Sequence, residues 1–407
     1  MRTVEEHVDA ILSSLPTLES IELALLDAQG LLCGEEVVST TSLPAFDHSA
    51  IDGYAVRVQD IRAARPDDAV QLAVVAEAEP GAREVRSLSA GTAVRIYPGA
   101  MLPAGADAVV PLAWTDRGVA RVDIRKAPPA GSYIRRAGED VMPGDTAVSV
   151  GTPIGPAQVG LLAAVGRTRV QARPRPRVTV LSIGSELVDV GTTPSPGELI
   201  DVNSFALSAA ARDAGAAVYR ASAVSADKER LLGALESQLL RTDMLILSGG
   251  FASSSFDVVS ECLSELGSVE YTRVAMQPGM PQGFGVIGER EVPVLCFPND
   301  PVSALVSFEL FARPAIRYLL GKKKLFRPLT KARLTESLDS PAGRKQFRRG
   351  LLMRHPDGGY VVSPIGGAGA HLLFSMAQAN CLMVLGEDQV HVAEGETISV
   401  MPLVLGG

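Results

Sequence analysis

Apolar residues between positions 176 and 322 form short runs that alternate with stretches of helical spacing. The runs contain few polar positions, as is typical of strands buried on both faces; they lie at 178–183, 218–224, 244–247 and 292–297. Helical spacing of apolar residues lies between them, at 204–214 and 227–240. Strands that alternate with helices of this length predict a parallel sheet covered by helices on both faces.

The flanking regions have a different pattern. Short alternating segments, punctuated by Gly and Pro, fill residues 58–140 and 325–407 and predict two mostly-β domains. Apolar residues at helical spacing over 3–30 predict an N-terminal helical segment, and 156–164 predicts another helix. The sequence RPRPR at 173–177 is typical of a linker between domains.

The stretch 244–257, MLILSGGFASSSFD, has the pattern of a strand, a glycine turn and a helix. Two glycines allow a sharp turn and a close approach of the backbone to a ligand. Such units bind ligands beyond the carboxyl end of a parallel strand, near the start of the helix. Asp257 fits two roles equally well. It is either a ligand-binding residue or the acid at the third helical position of a capping box whose N-cap is Ser254.

Three acids follow predicted strands: Glu186, Asp201 and Asp257. In a doubly wound sheet such positions converge on one crevice, and converging carboxylates favour Mg²⁺ held partly through water. Asp52 lies in a long polar loop and is either a turn residue or a ligand. The segment RRAGED at 135–140 is either a solvated turn or an anion-facing arginine pair.

Composition narrows the class of protein. The 407 residues are 46% hydrophobic and carry a formal net charge of -8, which argues against a general nucleic-acid binder. The four cysteines are far apart and include no C-x-x-C pair, so neither a zinc site nor a disulfide framework is indicated. The N-terminal segment is typical of an acidic amphipathic helix rather than a signal peptide, and no apolar run is long enough to insert in a membrane. We therefore expect a cytoplasmic protein.

Long motifs of this chain resemble those of the molybdopterin molybdenumtransferases, the family of MoeA and the E domain of gephyrin. They keep the family's order over essentially the whole chain and include LPAFDHSAIDGYAV, RRAGED, SIGSEL, DVNS, SGGFASSSFD, FPNDPVSA, FRRG and SMAQANCLMVL. The resemblance implies a multi-domain α/β plus β fold and an elongated homodimer, with each site shared between two subunits. The reaction that the resemblance implies is the family's insertion of molybdate into adenylated molybdopterin (molybdopterin-AMP) with loss of AMP, supported by Mg²⁺.

The resemblance also implies the domain layout. We expect an N-terminal dimerisation and linker domain at 1–45 and 141–175, a small mostly-β lobe at 46–140, a doubly wound α/β domain similar to MoaB and MogA at 176–324, and a C-terminal β domain at 325–407.

Matching motifs assign roles to single residues. As catalytic residues the resemblance implies Asp52, Asp257 and Arg349. As metal ligands it implies Glu186, Asp201 and Asp257. As cofactor-binding residues it implies Glu139, Ser248, Gly249, Gly250, Ser303 and Ser375.

The anion-binding half of the family pattern is altered. Where the family has KPGKP, with two lysines that hold molybdate, this chain has Gln277 and Met280. Asp300 adds a negative charge to the neighbouring turn, and Pro98 stands where a threonine is usual. A dianion needs cationic donors to replace its water, and each lost charge-assisted hydrogen bond costs about 1.5–3 kcal/mol.

Two functions follow from this combination. The sequence slightly favours a gephyrin-like scaffold with weakened or lost catalysis, which binds a short peptide of a membrane receptor or of a tubulin-like division protein such as FtsZ. The alternative is an active molybdenumtransferase with an altered anion site. The clustering of the losses in one half of the site favours the first hypothesis. Drift after loss of catalysis would explain these losses, and so would a changed substrate.

Overall fold

The structure is a computed structural model that describes residues 1–84, 87–251 and 255–403. Contacts between residues divide the chain into two compact units. The insert unit is Ile21–Ala172, and the main unit consists of Met1–Ser20 together with Arg173–Gly407.

The α-helices of the described residues, in chain order, are α1 (Val4–Ser13), α2 (Pro156–Ala164), α3 (Asn203–Ala214), α4 (Lys228–Leu239), α5 (Phe256–Leu266), α6 (Pro301–Ser307), α7 (Arg313–Leu319) and α8 (Leu373–Gln378). A π-helical segment, Phe308–Ala312, joins α6 to α7 without a break. No helix of the described residues is long and apolar enough to cross a membrane.

The strands of the insert unit are β1 (Ile21–Ala24), β2 (Val37–Val38), β3 (His48–Ser49), β4 (Gly53–Val56), β5 (Val70–Ala78), β6 (Thr92–Ile96), β7 (Ala108–Pro111), β8 (Arg121–Ile124), β9 (Ile134–Arg135), β10 (Thr146–Val148) and β11 (Arg169–Ala172). The largest sheet has the order β7-β4-β6-β5-β8, and the short strands pair as β1-β11, β2-β10 and β3-β9. Buried side chains such as Tyr54 and Ile124 fill one face of the large sheet. This is the mostly-β pattern that the sequence predicts for the lobe.

The N-terminal helix is shorter than its apolar spacing predicts. Helix α1 begins after Thr3, whose side chain forms a capping box with Glu6, and it ends at Ser13. Pro16 then disfavours helical backbone at the residue before it. Beyond it, Ile21–Ala24 forms a strand that pairs antiparallel with Arg169–Ala172. The prediction of helix over 3–30 is therefore wrong beyond residue 13.

The strands of the main unit are β12 (Arg177–Ile183), β13 (Leu187–Val188), β14 (Leu199–Ile200), β15 (Ala217–Arg220), β16 (Met244–Gly249), β17 (Gly267–Arg273), β18 (Met276–Gln277), β19 (Pro281–Ile287), β20 (Val292–Phe297), β21 (Thr330–Leu334), β22 (Leu338–Asp339), β23 (Lys345–Arg354), β24 (Tyr360–Pro364), β25 (Cys381–Leu385), β26 (His391–Val392) and β27 (Thr397–Pro402).

The α/β sheet has the order β15-β12-β16-β20-β19-β17. Strands β15, β12, β16 and β20 are parallel, as the sequence predicts, whereas β19 and β17 are antiparallel to their neighbours. The connections from β17 to β19 and from β19 to β20 are short, and parallel pairing needs a crossover of a dozen or more residues. The sheet is therefore mixed at one edge.

Helices α4 and α5 cover one face of this sheet. Leu231 and Leu235 of α4 pack with Leu245, Leu247 and Val259 in one buried cluster. Helix α3 lies against β12 and β15 and also contacts α6 and α7. The helical layers fix where each strand ends, and the ends of β12, β16 and β20 lie together.

The C-terminal sheet has the order β18-β23-β24-β21-β27-β25, and β23 also pairs with β25. This additional pairing closes the sheet on itself. Strand β18 comes from residues 276–277, between β17 and β19 of the α/β sheet, and pairs in parallel with Lys345 and Gln346. The predicted C-terminal β domain thus receives a strand from a distant part of the chain.

Candidate functional site

The glycine turn lies at the carboxyl end of the central strand β16. Gly249 and Gly250 have φ angles of 101° and 79°, which favour glycine. A Cβ at Gly249 would collide with the carbonyl oxygen of Ile183, and a Cβ at Gly250 would meet the Val259 side chain at 3.0 Å. The two positions therefore need glycine for both conformation and space, as the sequence predicts.

Asp201 lies buried beside this turn, at the start of α3. Its Oδ1 accepts hydrogen bonds from the Ser182 hydroxyl at 2.7 Å and from the Ser204 N–H at 3.0 Å. Its Oδ2 is also buried but has no hydrogen-bond partner among the described residues. A buried carboxylate oxygen without a donor is costly, so this atom indicates a place where a donor or a cation can bind.

Asn203 connects the end of β16, just before the glycine turn, to the segment that follows β20. Its Nδ2 donates to the Ser248 hydroxyl at 2.8 Å and to the Asn299 carbonyl oxygen at 2.6 Å. Its Oδ1 is buried and has no partner within the described part of the chain. This asparagine belongs to the motif DVNS, but the sequence alone assigns it no role. Its position at the junction of a short strand and a helix was the available signal.

Two small cavities open at this edge of the sheet. One, of about 110 Å³, is lined by residues that include Glu186, Asp201, Asn203, Ser248 and Asn299. The other, of about 230 Å³, shares Glu186 and Asn299 with it and is also lined by Gly250 and Ser255. The structure therefore brings together the predicted residues Glu186, Asp201, Ser248 and Gly250.

Asp257 is exposed on the first turn of α5 and does not line either cavity. The predicted N-cap, Ser254, lies outside the described residues, and the structure places Ser255 at the N-cap position of α5. Among residues 1–84, 87–251 and 255–403, no three or more His, Cys, Asp or Glu side chains come together as a group that could hold a metal ion. The expected trio is thus not assembled here, and Mg²⁺ binding by Glu186, Asp201 and Asp257 stays a prediction.

The donor set that remains is compatible with a hard cation. Glu186, Asp201 and Asn203 line one cavity at the sheet edge, and one oxygen each of Asp201 and Asn203 is buried without a partner among the described residues. Mg²⁺ prefers oxygen ligands and keeps several waters, so two carboxylates and an amide oxygen suit it.

Arg349 forms a second part of the candidate site, on strand β23. Its side chain is buried and donates from Nη1 to the Gly369 carbonyl oxygen at 2.9 Å and from Nη2 to the Gly367 carbonyl oxygen. No carboxylate of the described residues lies within ion-pair distance, and Nε has no partner there. Burial lowers the pKa of Arg349, and the charge of Arg348 lowers it further. A buried cation without a counter-charge favours an anion.

Two predicted serines lie near the loop that Arg349 contacts. Ser375 is on α8, and a Cβ at Gly366 would meet its side chain. Ser303 is buried on α6, next to Val302, whose N–H donates to the Ala370 carbonyl oxygen at 3.1 Å. The structure therefore places Arg349, Ser303 and Ser375 around one loop, residues 366–370.

The altered anion loop connects the two sheets of the main unit. Gln277 lies on β18 opposite Gln346, and Met280 lies just before β19. The guanidinium of Arg273 contacts the Met280 sulfur, with Nε at 3.2 Å and Nη2 at 3.1 Å from Sδ. The sequence analysis did not identify Arg273.

Asp52 and Glu139 lie in the insert unit. Asp52 is exposed just before strand β4. Glu139 accepts from the Arg136 N–H at 3.0 Å and from Arg135 Nη1 at 3.1 Å, and these contacts, the backbone one first, hold its pKa below the usual range. Glu139 and Arg135 line a cavity of about 460 Å³ together with Leu43, Pro44 and Asp140.

The main unit also has an apolar groove, which is larger than the two cavities at the sheet edge. We call it the α1 groove; its volume is about 420 Å³, and it is lined by Val4, Glu5, Val8, Asp9, Leu310, Phe326, Arg327, Leu329, Lys345, Phe347, Val384 and Met401. Phe326 and Leu329 remain 53% and 57% exposed. Three of the four charged residues of the lining form ion pairs: Lys345 with Glu5, and Arg327 with Glu309 at 2.6 Å.

Three family models match the chain in order. The model described as MoeA N-terminal region (domain I and II) matches residues 2–166. The model described as probable molybdopterin binding domain matches residues 179–318, and the model described as MoeA C-terminal region (domain IV) matches residues 331–403.

Proteins similar over their full length include two from Mycobacterium tuberculosis. Molybdopterin molybdenumtransferase 1 is 46% identical and covers 100% of both chains. Molybdopterin molybdenumtransferase 2 is 41% identical over 99% of this chain and 100% of its own. The crystal structure of a molybdopterin biosynthesis MoeA protein from Pyrococcus horikoshii matches with a TM-score of 0.82 at 30% identity, covering 98% of each chain.

Proposed function

Because this chain belongs to the molybdopterin molybdenumtransferase (MoeA) family, we propose that it inserts molybdate into adenylated molybdopterin during molybdenum cofactor biosynthesis. The sequence alone slightly favoured a scaffold, because both lysines of the anion loop are absent. Relatives that cover the whole chain at 46% and 41% identity carry the transferase name, and this supports the enzymatic alternative.

The buried, unpartnered oxygens of Asp201 and Asn203 carry the proposal. Both residues line the smaller cavity at this edge of the sheet, together with Glu186 and Ser248. A protein that kept this fold only as a scaffold would gain stability by replacing such groups. Their retention supports a site that still binds a polar ligand.

Each group has a proposed task. Main-chain groups at Gly249 and Gly250 approach the substrate closely, and Asn203 holds Ser248 and Asn299 in place. Glu186 and Asp201 would hold Mg²⁺, which when bound would neutralise phosphate oxygens of the adenylated pterin. Arg349 would bind the oxyanion through its uncompensated charge.

The other assignments rest on the resemblance. We keep Asp52 and Asp257 as proposed catalytic residues. We keep Glu139, Ser303 and Ser375 as proposed cofactor-binding residues.

An insertion assay with adenylated molybdopterin, molybdate and Mg²⁺ tests the proposal. The wild-type chain should turn over, and Asp201→Asn should lower kcat/KM by about tenfold or more, because one carboxylate charge of the cation site is lost. The matched control Asp388→Asn, at an exposed position, should have no effect. Absence of insertion by the wild-type chain at saturating substrates would contradict the proposal.

Thermal melts with and without Mg²⁺ separate the metal ligands. Glu186→Gln and Asp201→Asn should remove a Mg²⁺-dependent rise in Tm. Asp257→Asn should remove it only if Asp257 moves into the site, and it should leave the rise intact if Asp257 acts in the first turn of α5. A wild-type Tm that Mg²⁺ does not change would count against a magnesium site.

A second function, peptide binding, is supported by the α1 groove. We propose that it takes a short, largely apolar peptide of a membrane receptor or a tubulin-like protein, anchored by one or two aromatic or aliphatic residues. The groove lies at the predicted junction of the α/β and C-terminal β domains, and its lining is mostly apolar. In a homodimer, two grooves would hold a clustered partner more tightly than a free peptide.

The test compares a synthetic peptide of a tubulin-like division protein, free in solution, with the same peptide displayed on a polymer. Phe326→Ser with Leu329→Ser should weaken both interactions, and both residues are exposed enough for the fold to tolerate the change. The control is Leu240→Ser, an exposed apolar residue away from the groove lining. Equal affinity for the free and displayed peptide would remove the avidity argument.

A further inference from the structure

Positive charge is concentrated at the carboxyl end of helix α7 and in the loop that follows it. We call this cluster the basic patch; its members are Arg175, Arg317, Lys322, Lys323 and Lys324. The Lys322 N–H donates to the Arg317 carbonyl oxygen at 2.9 Å, and Arg317 Nε donates to the Lys324 carbonyl oxygen at 2.6 Å. These two bonds fold the loop back onto the helix end. The side chains of Lys323 and Lys324 are exposed there.

Arg175 joins the basic patch from a distant part of the chain. Its Nη1 donates to the carbonyl oxygen of Gly215, the residue that ends α3, at 3.4 Å. A Cβ at Gly215 would meet the side chain of Leu320, so the end of α3 lies against the end of α7. After burial, the charges of Arg317 and Arg175 are what lower the pKa of Lys322. Three segments therefore bring cations to one place.

The nearest acids are already balanced by two buried arginines. Asp213 accepts from Arg313 at 2.9 Å, and Glu309 accepts from Arg327 at 2.6 Å. Burial, and then the charges of Arg313 and Arg327, lower the pKa of Arg317, in the direction expected where positive charge is in excess. Within the described part of the chain, no ion pair joins an acid to four members of the patch, Arg175, Arg317, Lys323 and Lys324.

Exposed aromatic side chains flank the basic patch. Tyr318 lies next to Arg317 on α7, and Phe326, which also lines the α1 groove, follows Lys324 by two residues. A basic cluster attracts anionic lipid headgroups, and aromatic rings prefer the boundary between water and lipid. The exposed lysines lie along a loop and line none of the cavities described above. This arrangement suits an extended charged surface better than a small soluble anion.

We propose that the basic patch docks this protein on a membrane surface that carries anionic lipid headgroups. The chain would lie on the lipid and not cross it, because no helix of the described residues is long and apolar enough to do so. The formal net charge of the whole chain is -8, so its other faces are repelled by anionic lipid and the patch is turned toward it. The proposal is independent of the proposed transferase activity.

Co-sedimentation of the full-length chain with vesicles tests the proposal. The wild-type chain should bind vesicles of equimolar phosphatidylglycerol and phosphatidylcholine and should not bind vesicles of phosphatidylcholine alone. Added salt should weaken the binding, because exposed charges are screened. Lys323→Gln with Lys324→Gln should weaken it by about tenfold or more, because two exposed cations of the patch are lost.

Two further variants separate the patch from net charge and from loop structure. Arg333→Gln with Arg354→Gln changes the net charge equally at two exposed positions of the C-terminal β domain, and it should leave vesicle binding unchanged. Lys323→Arg with Lys324→Arg keeps both charges and should bind like wild type. A loss in either variant as large as that in the double glutamine variant of the patch would contradict the proposal.

A soluble phosphate distinguishes a membrane surface from a free anion. Glycerol 3-phosphate, added in excess at constant ionic strength, should not release the wild-type chain from the vesicles. Release would show a site for a free phosphate group and would overturn the proposal, as would a wild-type chain that ignores phosphatidylglycerol. Vesicle binding and molybdate insertion are separate readouts, so failure of one leaves the other proposal standing.

Discussion

At the scale of single residues, the candidate site is defined by polar atoms whose partners are missing. Asp201 Oδ2 and Asn203 Oδ1 are buried without a donor, and Arg349 is buried without an acid, in each case among the described residues. A buried unsatisfied polar group costs about 1–3 kcal/mol, more when it is charged. We propose that polar ligands satisfy them, with a cation or a donor at Asp201 and Asn203 and an anion at Arg349.

The first residue-scale prediction concerns Gln277. Gln277→Lys should tighten molybdate binding by about tenfold, because it adds a charge-assisted donor to the loop. Adding Met280→Lys should increase it less than the first change does, since that ammonium would lie beside Arg273. Equilibrium dialysis measures both, with Gln29→Lys, at an exposed position of the insert unit, as the control for net charge. Unchanged affinity in Gln277→Lys would mean that the loop does not contact the oxyanion.

The second prediction concerns His7, which is buried on α1 and packs edge-on against Phe311 at 4.8 Å. Burial, and then the charge of Arg2, lower its pKa to about 4, while Glu270 acts in the opposite sense. The unfolded chain therefore binds a proton more readily below about pH 6.5. The free energy of unfolding should fall by about 2 kcal/mol between pH 7 and pH 5 for this reason.

Denaturant unfolding of wild type and His7→Phe at both pH values isolates this contribution. The variant has no imidazole to protonate, so its free energy of unfolding should fall by about 2 kcal/mol less than that of wild type. Parallel pH dependence of the two proteins would show that His7 is not buried as a neutral group.

The sequence predicts several residues of the site, but it does not predict the contacts between them. Glu186, Asp201 and Ser248 were predicted because each follows a strand, and strand ends are visible in the apolar pattern. Asn203 was not, because its role depends on a partner 45 positions away, Ser248. Asp257 was grouped with the other acids because its place on the exposed face of α5 depends on the turn before it.

At the scale of elements, the glycine turn after β16 allows a matched pair of substitutions. Gly249→Ala should lower the free energy of unfolding by about 2 kcal/mol or more, because its φ is 101° and a Cβ would meet the Ile183 carbonyl oxygen. Gly233→Ala, inside α4 with open space around it, should raise it by about 0.5–1 kcal/mol. Denaturant unfolding measures both, and equal effects would refute the conformational argument.

The predicted elements are most accurate where one signal dominates. The four parallel strands and helices α3 and α4 are present as predicted, because long apolar periods and the caps Asp227 and Gly215 mark them, although β15 ends at Arg220 and not at residue 224. The segment Ile21–Ala24 is predicted as helix, although its apolar spacing fits a strand as well as a helix. It forms a strand because it pairs with Arg169–Ala172. The antiparallel edge of the α/β sheet follows from the short connections between β17, β19 and β20. The apolar pattern alone does not indicate how these connections orient the strands.

At the scale of the whole molecule, we predict a homodimer from the family resemblance. Several large apolar side chains in the predicted dimerisation domain are exposed, among them Leu26 at 76%, Val150 at 63% and Met142 at 59%. A contiguous patch of such residues would mark a surface that another chain covers. Light scattering should therefore give about twice the chain mass of 42.7 kDa at micromolar concentration.

Leu26→Lys with Val150→Lys should shift the dimer toward monomer. Leu240→Lys, at a residue of the main unit that is 81% exposed, should leave the mass unchanged. A clean monomer mass for the wild-type chain would reject the prediction, and with it the expectation that two subunits share a site.

Strand β18 has a consequence for how parts of this chain can be exchanged between relatives. The Ala275 carbonyl oxygen accepts from the Lys345 N–H at 2.9 Å, so a segment embedded in one sheet completes the border of another. A chimera joined near residue 325 would combine β18 of one parent with β23 of the other. If the two strands did not pair well, the edge of β23 would be exposed and prone to aggregation. Residues 274–280 and 325–403 therefore form one transplantable block, and recombination between family members should preserve both from the same parent.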